Sequence, residues 1–240
     1  MEQKVFEASA ENKGTAKQLR LFAFLAWFIA IAGEIFAILK LLHNETLVWL
    51  IVAIVIILAL SITGSLLWKK ANRLDPSSES NKAKFAVQSQ LGAIMGVLSF
   101  LPLVIFIFTN KNLNGKTKGI AGAIGIVALL VAGVTGVDFN PPSIEKYSSE
   151  INAQTDSVKQ INLGNDLVYW APESNKYHLY QDCYTIKGHA NLSEGTVKQV
   201  WEKKGISQLC KICEKRAMKE HNVSAVSLTD PDSNAADSTK

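Results

Sequence analysis

Three cysteines and one histidine, gathered in a single stretch, are the residues of this chain best able to do chemistry. Cys183, Cys210 and Cys213 are its three cysteines, and His178 lies five residues ahead of the first. Cys210 and Cys213 form a C-x-x-C pair, and two thiolates on a tight turn can both point at one tetrahedral ion. His178 and Cys183, with four residues between them, suit a hairpin or knuckle that supplies one nitrogen and one sulfur. A Cys3His set is a closed structural shell for zinc. Three cysteines cannot all pair as disulfides, and Cys210 has no thioredoxin-like βαβ context. The pattern therefore points to structural Zn2+ held by His178, Cys183, Cys210 and Cys213. His189, six residues beyond Cys183, and His221, eight beyond Cys213, are competing imidazoles.

A small α/β unit must position these ligands. Residues 167–170 and 176–180 read as two short strands joined by a turn at 173–175. Ser193 reads as the N-cap of a helix whose apolar face is Val197, Val200 and Trp201 and whose stop is Gly205. A last short helix is expected after Cys213. A core this small gains its security from the metal, because zinc binding supplies folding free energy directly. A shell filled by four protein ligands leaves no position for a reacting water, and no catalytic constellation stands out elsewhere, so the reading is not an enzyme.

The stretch 177–214 resembles the small zinc-binding module at the N-terminus of the Ada DNA-repair protein. The likeness rests on His178, Cys183, the run from Thr196 to Gly205, and Cys210-Lys-Ile-Cys213, about a sixth of the chain. It implies the fold of that module and zinc binding. In the Ada module the first ligand is a cysteine that accepts a methyl group from a DNA phosphotriester. His178 stands there in this chain, and an imidazole is not that acceptor, so the resemblance does not bring the repair activity with it. The whole layout is similar to bacterial multi-pass membrane proteins with a C-terminal module of this kind, a likeness that implies no function of its own.

Upstream, the chain is dominated by four apolar runs, at 21–39, 47–68, 85–108 and 120–137. Each is close to the ~20 residues that a helix needs to cross a ~30 Å hydrocarbon core. The fold expected is an α-helical membrane protein with four transmembrane helices, at about 21–42, 46–68, 85–108 and 119–137, followed by the zinc module. The layout reads as a polar tail (1–18), a transmembrane domain (19–137), a linker with an amphipathic helix (138–165), the module (166–221) and a disordered tail (222–240). Trp49 and Trp68 fall near span ends, where indoles prefer the interface. Gly119, Gly122, Gly125, Gly133 and Gly136 suit a fourth span packed closely inside the bundle. Pro102 predicts a kink in the third. Ile144, Tyr147, Ile151, Thr155, Val158 and Ile161 recur at helical spacing, giving a helix that lies on the bilayer, packs on the module or self-associates.

Glu34 is the one carboxylate inside a span, and an intramembrane acid marks a functional site by default. Two kinds of function follow. The first is a membrane anchor for a zinc module that binds a protein partner, with nucleic acid as the alternative partner suggested by Lys198, Lys203, Lys204, Lys211, Lys215, Arg216 and Lys219. The second is a small transporter or channel in which Glu34 works and the zinc domain regulates. A net charge of +4 is too weak to argue for nucleic acid by itself. Basic residues before the first span and after the second place both termini in the cytoplasm of a multi-pass cell-membrane protein, against a conflicting count in the loop at 110–118. Reduced cysteines agree with that side.

Overall fold

The computed structural model describes residues 5–221, which divide into two compact units. One is Ala10–Ser143; the other joins residues 5–9 to residues 144–221.

The first unit contains α1 (Ala10–Lys40), α2 (Leu47–Leu74), α3 (Lys82–Leu98), α4 (Leu101–Thr109) and α5 (Gly115–Gly136). Four helical stretches are long and apolar enough to cross a membrane: Ala10–Lys40, Asn44–Leu74, Lys82–Thr109 and Gly115–Gly136. Only 28–39% of their most apolar windows is buried inside the protein, and residues such as Phe28, Val48 and Leu130 face outward. A surface that apolar is matched to lipid rather than to water.

Within this unit, α1 and α2 form a long hairpin across a 3-10 turn at Asn44–Thr46. Trp27 fits against Gly64, where a Cβ would lie 2.5 Å from the indole Nε1. The closest backbone approach joins α3 to α5. A Cβ on Gly96 would meet the Ala132 carbonyl oxygen at 2.7 Å, and one on Gly136 would meet the Gly92 carbonyl oxygen at 2.5 Å. Small residues four apart on both helices, Gly92 with Gly96 and Ala132 with Gly136, make this seam. Of the glycines that suggested it on the fourth span, Gly122, Gly125 and Gly136 face neighbouring helices, whereas Gly119 faces open space.

The third span departs from a straight helix more sharply than the kink expected at Pro102. It breaks at Ser99 and Phe100, between α3 and α4. Pro102 therefore sits in the first turn of a new helix, where a missing N–H costs nothing. The polar tail expected at 1–18 is likewise different, because α1 begins at Ala10 and carries its first turns ahead of the apolar run.

The second unit holds α6 (Ile144–Ile161), β1 (Leu167–Trp170), β2 (Ser193–Thr196), α7 (Val197–Lys204) and α8 (Lys211–Glu220). The two strands are antiparallel, with Leu167 opposite Thr196 and Trp170 opposite Ser193. This corrects the strand pairing expected from sequence. Residues 176–180 make only isolated bridges, Tyr169 with His178 and Tyr177 with Leu209, and the second strand is Ser193–Thr196. Ser193 is thus not an N-cap. Thr196 is, through a capping box in which its hydroxyl accepts from the Gln199 amide and the Gln199 side chain accepts from the Thr196 amide. Gly205 ends α7 in the left-handed region at φ 66°, as a helix stop requires.

The amphipathic helix resolves to one of its alternatives. Ile151, Thr155, Val158 and Ile161 of α6 are buried in this unit's own core with Val168, Trp170, Val200 and Trp201. That core also takes in Phe6 and Ala8. Phe6 lies edge-on to Tyr147 at 5.1 Å, its amide donates to Ser148 Oγ at 2.8 Å, and the Glu7 amide donates to Glu202 Oε1 at 2.9 Å. The segment just before α1 is therefore a structural part of the C-terminal unit. The tail expected at 222–240 lies outside the described residues.

Candidate metal centre

His178, Cys183, Cys210 and Cys213 come together as the sequence spacing suggests. One ligand atom from each lies within 4.8 Å of all the others, and all four residues are buried. The group could hold a metal ion.

Backbone hydrogen bonds fix each ligand. His178 is clamped to β1 on one side, its amide donating to the Tyr169 carbonyl at 2.8 Å and its carbonyl accepting from the Tyr169 amide at 2.7 Å. The adjacent Tyr177 is clamped on its other side to the segment that ends in Cys210: its amide donates to the Gln208 carbonyl at 3.0 Å, and the Cys210 amide donates back to Tyr177 at 2.9 Å. Short backbone bonds thus hold the first and third ligands side by side. Cys183 sits in a knuckle, its carbonyl accepting from the Ile186 and Lys187 amides at 2.9 and 2.7 Å. Cys210 is the N-cap of α8 and Cys213 lies in its first turn, so the C-x-x-C pair straddles a helix N-terminus. The positive end of the helix dipole favours thiolates there. The last helix accordingly starts at Lys211, before Cys213 rather than after it.

One pair of candidate ligand atoms is spaced as a tetrahedral ion would space it. His178 Nδ1 lies 3.6 Å from Cys213 Sγ. A tetrahedral ion with metal–sulfur bonds of about 2.3 Å and metal–nitrogen bonds of about 2.0 Å sets its ligand atoms roughly 3.5–3.8 Å apart, so this pair is already at the edge length required. The backbone amides of Leu179 and Tyr180 favour a thiolate at Cys213, and that of Thr185 favours one at Cys183. Amide bonds to sulfur offset negative charge on thiolates and hold the ligands in place. The Thr185 hydroxyl lies 3.2 Å from Cys183 Sγ and 3.5 Å from His178 Nδ1.

The ionisation of the group follows from burial. Burial, then the nearby Lys176 charge, holds His178 below the ordinary imidazole value of 6.5, which keeps the ring neutral and able to ligate. Burial and the Cys183 sulfur push the Cys213 thiol up to about 12. At Cys183 burial acts the same way, but the hydroxyl and amide of Thr185 outweigh it and the thiol falls below its ordinary value. A buried set of thiols that resists carrying several negative charges without a cation is suited to a cation that neutralises them.

The competing histidines lie elsewhere. His189 is exposed in the loop beyond the knuckle, and His221 ends α8 with Nδ1 2.7 Å from the Ile161 carbonyl oxygen. Residues that sequence reasoning missed are Thr185 and Gln154. Gln154, on α6, accepts from both Tyr177 Oη and Trp201 Nε1 at 3.0 Å and donates to the Ser207 carbonyl at 2.5 Å. It ties α6 to α7 and to both ligand-bearing segments. Nothing in its spacing signals this, since a glutamine on a helix face ordinarily meets solvent.

Glu34 is 3% exposed, and its Oε1 accepts from the Leu103 amide at 3.0 Å. Leu103 is the third residue of α4, so Glu34 caps the helix that restarts inside the third span. Ile31, Ile35, Pro102 and Phe106 surround the carboxylate in an apolar groove of about 450 Å³.

Comparison of the chain with protein-family models, with curated proteins and with solved structures finds no match.

Proposed function

We propose that this is a membrane protein whose four spans anchor a structural-zinc module that binds a protein partner. The observation that carries it is the buried Cys3His set, with its ligand atoms within 4.8 Å of one another, in a unit joined covalently to span-length helices at both ends. Zinc is favoured over other metals by three thiolates and an imidazole around a tetrahedral site. Four protein ligands fill that shell and favour a structural ion over a catalytic one. The module is of the Ada type in this reading, without the methyl-acceptor cysteine. Its exposed Tyr184, beside Cys183, is the kind of aromatic residue that protein interfaces enrich.

Two further features support the layout. Residues 5–9 belong to the same unit as residues 144–221, which supports a layout with the N-terminal segment and the module on one side of the membrane, in keeping with an even number of spans. The basic residues before the first span and after the second favour the cytoplasm for that side. For Glu34, the bond to Leu103 supports a structural cap: a half-helix starting within the bilayer has amides that no water can satisfy.

The test is metal analysis of the purified full chain, followed by capture of partners from native membranes with the module intact and with Cys210 and Cys213 replaced by serine. One zinc per chain and a protein captured only by the intact module are expected. Folded protein without zinc would overturn the metal assignment, and identical captures would overturn the binding role.

A further inference from the structure

We propose that the membrane unit holds one anionic phospholipid in a groove between α1, α2 and α3. The groove is about 540 Å³ and is lined by Arg20, Trp68, Ala83, Lys84, Val87 and Leu91 among others. Its position is fixed by where the apolar runs end. Arg20 immediately precedes the first run, Trp68 closes the second, and Lys84 immediately precedes the third. Three run edges meeting around one groove set its mouth at the level of the lipid headgroups.

The wall below that mouth is apolar. Ala83, Val87 and Leu91 step down α3 at intervals of four residues. Eight residues of helix descend about 12 Å, enough to run along much of one acyl chain. Trp68 forms the facing wall and is held there, its Nε1 donating to the Gln88 carbonyl at 2.7 Å. The result is a slot with an apolar floor and a cationic rim, which is complementary to a lipid phosphate with its chains below it.

The two cations play different parts. Arg20 is a fixed post. Its Nη1 donates to the Asp75 carboxylate at 2.8 Å, its Nη2 donates to the Asp75 carbonyl at 2.7 Å, and its guanidinium lies 5.8 Å from the Trp68 ring centre. Asp75 offsets much of that charge. Lys84 is exposed in the first turn of α3 and, among the described residues, has no carboxylate partner. It therefore supplies the uncompensated positive charge, with the N-terminus of a 17-residue helix behind it.

Native mass spectrometry of the delipidated full chain, titrated with phosphatidylglycerol or with phosphatidylcholine of the same chains, tests this. One phosphatidylglycerol should be retained at least about fivefold more tightly than phosphatidylcholine, the ratio that one basic residue near a phosphate supports. K84E should remove the preference while leaving the helical spectrum unchanged. V87W, which fills the slot from an exposed position, should reduce retention of both lipids. Equal retention of the two lipids by the natural chain would overturn the proposal, and so would a preference that survives K84E. Millimolar inorganic phosphate should not displace the lipid; displacement would assign the rim to a free anion and overturn the lipid assignment as well.

Discussion

At the scale of single residues, the candidate metal ligands are separable from their supports. Replacing Cys183, Cys210 or Cys213 with serine should unfold the C-terminal unit, because binding free energy of about 10–16 kcal/mol in comparable small zinc units is folding free energy. Metal content and the near-ultraviolet dichroism of the full chain read this out. H178A should lose the metal and H189A should keep it; the reverse result would reassign the fourth ligand to His189. T185V removes a hydroxyl 3.2 Å from Cys183 Sγ and keeps the side-chain shape, so zinc affinity should fall about tenfold without unfolding. Acid should act in one direction. The folded-state pKa of His178 lies below 6.5, so the unfolded chain takes up a proton first as pH falls, and stability is lost from that value downward. The thiolates release zinc over the same descent as protons compete for sulfur. Zinc retention against a fixed chelator should therefore drop between pH 7.5 and pH 5. Retention that is level across that range would contradict a thiolate-rich shell.

At the scale of elements, two features were legible in the sequence for physical reasons and two were hidden for equally physical ones. Apolar runs announce spans because lipid imposes a length, and ligand spacing announces a metal cluster because coordination imposes a geometry. What holds the break in the third span was hidden, since the group that stabilises it is a carboxylate on another helix, and Pro102 signalled only a kink. The spacing of the sequence does not reveal the partner of Glu34, the Leu103 amide, which comes from a residue 69 positions away. E34Q keeps an acceptor oxygen and should preserve the fold and thermal stability within about 1 kcal/mol, whereas E34L leaves a buried amide unsatisfied and should cost about 1–3 kcal/mol. If E34Q unfolds the chain as E34L does, charge rather than capping is what the site needs. The strand at Ser193–Thr196 was hidden by its polar composition: Ser-Glu-Gly-Thr carries no alternating apolar face, and it pairs because Thr196 must also deliver the chain into α7. The α3–α5 seam was half legible, in the glycines of the fourth span, while its other half needed Gly92 and Gly96 to be read with them. G136L sets a branched side chain against the Gly92 backbone and should separate these helices, lowering the melting temperature by several degrees, while G119L on the open face should not.

At the scale of the whole molecule, the chain leaves the C-terminal unit before it has properly begun. Residues 5–9 are built into the core of residues 144–221, and α1 starts at Ala10. The unit is thus tied to the span-length helices through two stretches of backbone, one leading into the first and one returning from the last. Phe6 is the anchor of the first tie, 5% exposed and edge-on to Tyr147, which in turn lies 5.4 Å from Trp201. F6A should destabilise the C-terminal unit by about 3 kcal/mol, as large-to-small changes in an aromatic core do, although residue 6 lies 172 positions ahead of the first metal ligand. The same connection constrains topology. Fusions of a fluorescent protein and of a periplasmic phosphatase to either end should report one shared side, and the basic residues around Arg20 and Lys69 predict the cytoplasm, with both fluorescent fusions bright and both phosphatase fusions inactive. Two ends on opposite sides would break the connection between residues 5–9 and the metal-binding unit, whereas two ends outside would preserve it and overturn only the cytoplasmic assignment.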